Sequence, residues 1–451
     1  MRDNKISSHK TAVMTIDAPQ VAVHKPARSL PGIHVLAKPM GPICDIKCDY
    51  CFYLEKRALF DSDERYRMPD EVLARYIDGY VAAQPTPVVE FVWHGGEPTL
   101  IGLDFFRKVI ESQRPHRGRK QIRNSLQTNG MRLDDEWCAF LKENGFLVGI
   151  SLDGPQEIHD AYRKDRHGRG TFERVMAGVR LLQKHGVDFN VLACVARQTA
   201  QRPLEVYRFF RAAGIKYIQF TPIVERQPDP STQKIGLWLA KPASLTTPEP
   251  NTTVTPWTVE PEAYGDFLVA ILEEWVRKDV GDIFVMNFEW ALNAWIGNGS
   301  PVCIFSRQCG RAVALEHNGD VYACDHYVYP EYALGNVLKD DLGQMVQRSV
   351  DSGFGPHKET TLPRYCRECE VLEACWGGCP KHRFATAPTG EPGLHYLCPG
   401  YKKFFRHIRK YLRAMTTLLE NGLPVSYVMQ AIDAPLVISR GKAGGSSAAA
   451  K

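Results

Sequence analysis

Three cysteines in one short stretch, Cys44, Cys48 and Cys51, stand at C-x3-C-x2-C spacing. Three thiolates on one loop can hold three irons of a [4Fe-4S] cluster and leave the fourth iron open to a small molecule. A fully ligated cluster takes four cysteines, and a tetrahedral structural zinc also takes four ligands, so the number three carries information. The competing readings are three buried core cysteines or one part of a zinc knuckle. A second group lies far downstream: Cys303, Cys309, Cys324, Cys366, Cys369, Cys375, Cys379 and Cys398. Eight thiols divide into two four-thiolate sites. Zinc ribbons compete here, because Cys366 and Cys369 have a zinc-like spacing. Against zinc, no second pair of that spacing follows them. Cys138 and Cys194 fall on a helix and a strand and are read as core residues.

The elements that must position these loops are legible in the pattern. Short apolar runs at 33–38, 88–93, 121–126, 147–152, 188–195 and 216–222 read as strands buried on both faces. Helical patterns lie between them, at 69–83, 103–113, 134–145, 171–185 and 204–213. Asp134 is placed to cap the third, and Gly145, Gly186 and Gly214 to end the last three. Six strand–helix alternations imply an α/β fold with a parallel sheet. Six are too few for the eight-fold barrel, so the expectation is a partial, open (β/α)6 barrel. Ligands then bind at the C-terminal ends of the strands. There the chain places His94-Gly95-Gly96-Glu97-Pro98, Gln127-Thr128-Asn129-Gly130 and Ser151-Leu152-Asp153-Gly154, with Arg163 in the polar segment that follows. The glycine pair allows close backbone approach, with amides available to an amino-acid-like ligand.

Residues 225 to about 260 are rich in Pro, Thr and Ser, with apolar residues only around 235–239, and read as a connector without regular structure. A helix starts near Pro261, with Tyr264, Leu268, Ile271, Leu272 and Trp275 on one packing face, and 283–286 is a short strand candidate. Between Cys309 and Cys324, Asn318-Gly319 signals a type I′ hairpin.

At 451 residues the chain is too long for one ordinary core. Its hydrophobic content of 44% and charged content of 24% are globular values. A net charge of +5 without a dense Lys/Arg run makes no case for nucleic acid. Thirteen clustered cysteines do not describe a secreted disulfide framework. No apolar leader opens the chain and no apolar run reaches transmembrane length. The expected setting is cytoplasmic, reducing and anaerobic, with no membrane partner.

The C-x3-C-x2-C motif followed by Phe52-Tyr53, with Gly95-Gly96-Glu97-Pro98 after the second strand, resembles the radical S-adenosylmethionine enzymes. The resemblance implies that the open iron chelates the amino and carboxylate groups of S-adenosylmethionine, whose reductive cleavage yields a 5′-deoxyadenosyl radical. It also implies cofactor contacts at Tyr50, Gly96, Ser151, Arg163 and Val224. The cysteine-rich last third resembles the SPASM domain, which carries two auxiliary [4Fe-4S] clusters. Carried over, Cys303, Cys309, Cys324 and Cys379 hold the first and Cys366, Cys369, Cys375 and Cys398 the second. The stretch from Asn124 to Gly130, the Phe146–Ser151 strand with Asp153-Gly154-Pro155, and Tyr322-Ala323-Cys324-Asp325 resemble the anaerobic sulfatase-maturating enzymes across residues 33–410. That resemblance implies oxidation of a Cys or Ser in a Cys/Ser-x-Pro/Ala-x-Arg sulfatase segment to Cα-formylglycine. Asp325 is then the base, and the partners are a sulfatase polypeptide and an electron donor such as flavodoxin or ferredoxin. His94 departs from the pattern, standing where relatives often have Gln.

The implied organisation is a lead-in at 1–31, a barrel at 32–225, a connector with a helix at 226–300, the auxiliary-cluster region at 301–410, and a C-terminal helix and low-complexity tail at 411–451. Two other readings remain: a SPASM enzyme making a thioether or carbon–carbon crosslink in a different peptide, and a non-enzymatic iron–sulfur or zinc scaffold.

Overall fold

The computed structural model describes residues 32–61, 65–244, 253–430 and 432. It also describes the backbone of Val13–Ile16 and Val437–Arg440, which pair in parallel. The rest of the lead-in and the tail from Gly441 lie outside the described residues.

Six strands succeed one another: β1 (His34–Lys38), β2 (Val88–Trp93), β3 (Gln121–Thr128), β4 (Leu147–Ser151), β5 (Phe189–Val195) and β6 (Tyr217–Pro222). The helices between them are α1 (Asp70–Ala83), α2 (Leu103–Gln113), α3 (Asp135–Glu143), α4 (Phe172–His185) and α5 (Pro203–Ala212). Every neighbouring pair from β1 to β6 is parallel and in sequence order. The expected caps are present: the Asp134 carboxylate accepts from Trp137 N, and Gly186 ends α4 in the left-handed region. α1 and α2 close over β2 through Tyr76, Tyr80, Phe91, Trp93 and Phe106, all fully buried and in ring contact. Burial of each such ring stabilises the fold by about 1.5–3 kcal/mol.

The sheet does not close on itself. β6 is extended by the two-residue strand β7 (Phe284–Val285). On the other side, β1 pairs in parallel with β8 (Ala312–Glu316), which turns into the antiparallel strands β9 (Asp320–Tyr322) and β10 (Ala333–Asn336). One ten-stranded sheet therefore runs from the barrel into the cysteine-rich third. The hairpin forms where Asn318-Gly319 signalled it, but not as a type I′ turn. Gly319 N donates to Glu316 O, and of the two residues only Gly319 has positive φ, at 92°. The turn thus centres on His317 and Asn318, with Gly319 as the bulge residue.

The connector is more ordered than its composition suggests. Leu237 and Leu239 are buried, and the N–H groups of Trp238 and Leu239 donate to Glu55 Oε2 at 2.8 and 2.9 Å. α6 (Pro261–Lys278) buries the predicted face of Tyr264, Leu268, Ile271, Leu272 and Trp275. Much of that face meets α7 (Cys398–Glu420), with the Tyr264 and Tyr401 rings 5.9 Å apart. α7 begins at Cys398, so this seam fixes one thiol of the downstream set. Among the described residues, no helix is long and apolar enough to cross a membrane.

Candidate active site

The C-terminal ends of β2 to β6 open on a cavity of about 530 Å³. Cys44, Cys48 and Cys51 line it, together with His94, Gly95, Gly96, Asn129, Ser151, Arg163, Cys194 and Val224. The cysteine loop is pinned by the glycine pair. Gly96 N and Glu97 N donate to Gly41 O and Ile43 O at 2.9 and 2.8 Å. A Cβ at Gly96 would lie 2.1 Å from Ile43 O, so only glycine allows this contact. Of the glycine-pair amides, Gly96 N is therefore engaged in bracing the loop, and Gly95 N donates to His94 Nδ1 at 2.7 Å. Glu97, fully buried, accepts from Thr99 N, Thr128 Oγ1 and Asn129 N and ties the same turn to the end of β3. Asn129 Nδ2 in turn sits 3.6 Å from Cys44 Sγ.

On the far side of the loop, Ile46–Cys48 pairs antiparallel with Arg163–Asp165, which sets Cys48 opposite Arg163. Arg163 reaches Asp153 Oδ2 at 2.9 Å, Cys194 Sγ at 3.4 Å and Cys48 Sγ at 3.9 Å. Asp153 also accepts from the Tyr50 hydroxyl and from Cys194 N. Tyr50 and Arg163, two of the cofactor contacts implied by resemblance, are thus held by one buried carboxylate. Asp153 lies in the Ser151-Leu152-Asp153-Gly154 stretch, where its loop position gives no sign of this role. Cys194, read as core, is buried against Tyr50 and Ile223 and also lines the cavity. Cys138 is core as expected. Tyr50, Gly96, Ser151, Arg163 and Val224 all line the same cavity.

The opposite wall comes from the last third of the chain. Cys303, Cys309, Cys324 and Cys379 line this cavity, and so does Asp325. Asp325 Oδ1 lies 2.5 Å from Lys38 Nζ. Lys38 ends β1, is fully buried, and faces Glu316 across the β1–β8 register, with Nζ 3.5 Å from Oε1. The same ammonium sits 3.4 Å from the centre of the Tyr53 ring, and the Tyr53 hydroxyl donates to Glu316. Burial opposes ionisation of Asp325, but Lys38, with His94 and His326, outweighs it and holds the carboxyl below the usual range. Burial lowers the His94 pKa against the opposing pull of Asp325. The sequence hinted at Lys38 only as a charge closing an apolar strand.

Cys366, Cys369, Cys375 and Cys398 surround a separate void of about 20 Å³, also lined by Tyr365, His395 and Lys402. The eight downstream thiols therefore divide four and four: one group lines the cavity it shares with the Cys44–Cys51 loop, and the other lines the separate void. Among the described residues, no three His, Cys, Asp or Glu side chains are placed to hold a single metal ion. All-thiolate sets around a void suit an iron–sulfur cluster. Burial pushes the thiols of Cys309, Cys366 and Cys398 up to about 12 and that of Cys379 to about 11. Such thiols ionise when a metal compensates their charge, so loading releases protons.

Comparison with known proteins accords with this geometry. Residues 39–222 match the radical SAM superfamily and residues 303–370 match SPASM, an iron–sulfur cluster-binding domain. The second match decides against zinc in the last third. The chain is 43% identical to the serine-type anaerobic sulfatase-maturating enzyme of Bacteroides thetaiotaomicron, over 89% of this chain and 95% of that protein. It is 31% identical to the cysteine-type enzyme of Clostridium perfringens, over 84% and 96%. The solved structure of native anSMEcpe with bound AdoMet and Cp18Cys peptide superposes with a TM-score of 0.73 at 30% identity, over 86% of this chain and 99% of that one.

Proposed function

The chain belongs to the anaerobic sulfatase-maturating enzymes of the radical S-adenosylmethionine superfamily, and from that premise we propose that it oxidises a Ser or Cys of a sulfatase segment to Cα-formylglycine with Asp325 as base. The observation that carries this reading is the shared chamber. The Cys44–Cys51 loop and Asp325, next to Cys324, line one cavity of about 530 Å³. In this reading Cys44, Cys48 and Cys51 hold the cofactor-binding cluster, and Tyr50, Gly96, Ser151, Arg163 and Val224 surround S-adenosylmethionine. Cys303, Cys309, Cys324 and Cys379 hold the first auxiliary cluster, and Cys366, Cys369, Cys375 and Cys398 the second.

When bound, the cofactor and clusters supply hydrogen-atom abstraction from the substrate Cβ and acceptance of the remaining electron. The chain's own task is the proton on the substrate Oγ or Sγ. Asp325 is ionised and takes it at a carboxylate oxygen. A carboxylate held low by Lys38 is a weak base, so placement beside the reacting carbon supplies most of its effect. A hydroxyl on a carbon that has lost a hydrogen atom is also far more acidic than an ordinary alcohol, which closes much of the gap. Lys38 keeps Asp325 at the chamber wall from the barrel side. The greater similarity to the serine-type relative, 43% against 31% for the cysteine-type one, favours serine as the substrate residue. The reductant is an electron donor such as flavodoxin or ferredoxin, and the setting is cytoplasmic.

The test is an anaerobic assay of reconstituted enzyme with reductant, S-adenosylmethionine and two peptides, Ser-x-Pro-x-Arg and Cys-x-Pro-x-Arg, read by mass spectrometry. Aldehyde forms on the serine peptide at the higher rate. Asp325→Asn keeps its iron and still cleaves the cofactor, while product formation falls about 100-fold. Cofactor cleavage with no aldehyde on either peptide would overturn the reading. Unchanged product formation by Asp325→Asn would remove Asp325 from it.

A further inference from the structure

His395 follows the strand Pro392–Leu394 and is 2% exposed. Leu397 N donates to its Nδ1 at 3.0 Å. Nδ1 therefore carries the lone pair, and the neutral ring keeps its proton on Nε2. That buried N–H meets no acceptor among the described residues. A buried donor without an acceptor is rare, and it calls for a partner outside the chain.

The position of the ring names that partner. His395 is the one histidine lining the void of Cys366, Cys369, Cys375 and Cys398. A Cβ on Gly378 would lie 2.3 Å from its Cδ2 and 2.6 Å from its Nε2, so the ring presses on the segment joining Cys375 to Cys379. Its carbonyl accepts from Cys398 N. The ring is thus built into the frame of two of the four thiols. The ring also borders the larger cavity, and His382 stands between it and His326, with ring separations of 5.5 and 6.1 Å. Histidine rings fill the space between the two cysteine sets.

We propose that His395 Nε2–H donates a hydrogen bond to a sulfur of the cluster held by Cys366, Cys369, Cys375 and Cys398, and that it raises the reduction potential of that cluster. A donor to sulfur stabilises the charge added on reduction, and hydrogen bonds to sulfur are among the determinants of cluster potential. His395 is in this sense a positioning and tuning residue that acts through the cluster. The inference rests on the second void holding a cluster, which iron and sulfide analysis of the same samples tests separately.

The experiment is a potentiometric titration of the reconstituted full chain followed by EPR, with His395→Leu and His395→Gln beside the native protein. With iron content unchanged, His395→Leu moves the midpoint of the second auxiliary cluster to a more negative potential and leaves the other two clusters in place. His395→Gln, which keeps an amide N–H, lies between the two. Equal shifts in both variants would overturn the proposal in favour of packing alone, and so would a midpoint that does not move. Pulsed EPR of native enzyme carrying 15N-histidine needs no variant to load iron. A 15N coupling on the reduced second cluster supports the donor, and its absence in a fully loaded sample rejects it.

Discussion

The two cysteine-lined spaces differ in what surrounds them. The larger, about 530 Å³, is walled by the barrel strands on one side and by Cys303, Cys309, Cys324, Cys379 and Asp325 on the other. The smaller, about 20 Å³, is enclosed by ten residues, all from the cysteine-rich third and none from the barrel. The first contains titratable and polar groups set for a reaction: Asp325, His94, Arg163 and Ser151. The second has four thiols, the apolar Val371 and Leu372 and the buried His395 ring, with Tyr365 and Lys402 at its border. One is therefore a chamber with room for a peptide and a cofactor, and the other is a small socket built from thiols.

That contrast can be broken most severely at the thiols. Cys51→Ala, in the chamber, abolishes cleavage of S-adenosylmethionine, read as loss of 5′-deoxyadenosine. Cys375→Ala, in the socket, loses a cluster by iron analysis but still cleaves the cofactor. Equal loss of cleavage in both would erase the distinction. A smaller effect is expected at the joint between the two regions. Lys38→Met leaves Glu316 and Asp325 facing each other without their shared cation, and removing one partner of a buried pair costs about 3–5 kcal/mol. Thermal unfolding of the loaded enzyme checks this, and Lys38→Arg recovers part of the loss.

The smallest effect is at the seam of α6 and α7 that carries Cys398. Glu273 accepts from Tyr411 at 2.6 Å and His407 at 2.5 Å. Partial burial opposes its ionisation, but those bonds, with Arg277 and Lys410, bring its pKa down to about 2. A depressed carboxylate contributes stability above its unfolded value, about 4.3, and loses it as pH falls toward 2. Because the group is partly exposed, Glu273→Gln costs below about 1 kcal/mol at neutral pH. The difference from native vanishes across that acid window in denaturant titrations.

The cysteine spacings and the six strand–helix alternations were legible because both are local. Cys44 to Cys51 occupy one loop, and the apolar runs with Asp134, Gly145 and Gly186 punctuate the barrel within a few residues of each element. The joint was not legible. Lys38 meets Glu316 and Asp325 through pairing of strands that are far apart in sequence, and no local pattern marks that register. The connector misled for a related reason. Its Pro, Thr and Ser content describes the backbone, whereas Trp238 and Leu239 are ordered by the distant carboxylate of Glu55. His395 has no signature in the sequence, because a single histidine carries no spacing. Its meaning lies in which nitrogen is already occupied.

The parallel pairing of β1 with β8 also sets a timetable. Residue 34 finds its partner only when residue 312 has been made. Until then the growing chain carries a complete run of barrel strands with one bare apolar edge, which is the feature by which nascent proteins stick to one another. The pairing is also strongly non-local, and such contacts form slowly. The cell must therefore shelter an open sheet until residue 312 has been made. Chains truncated before residue 312 should aggregate or call on chaperones, even though every strand of the barrel is already present.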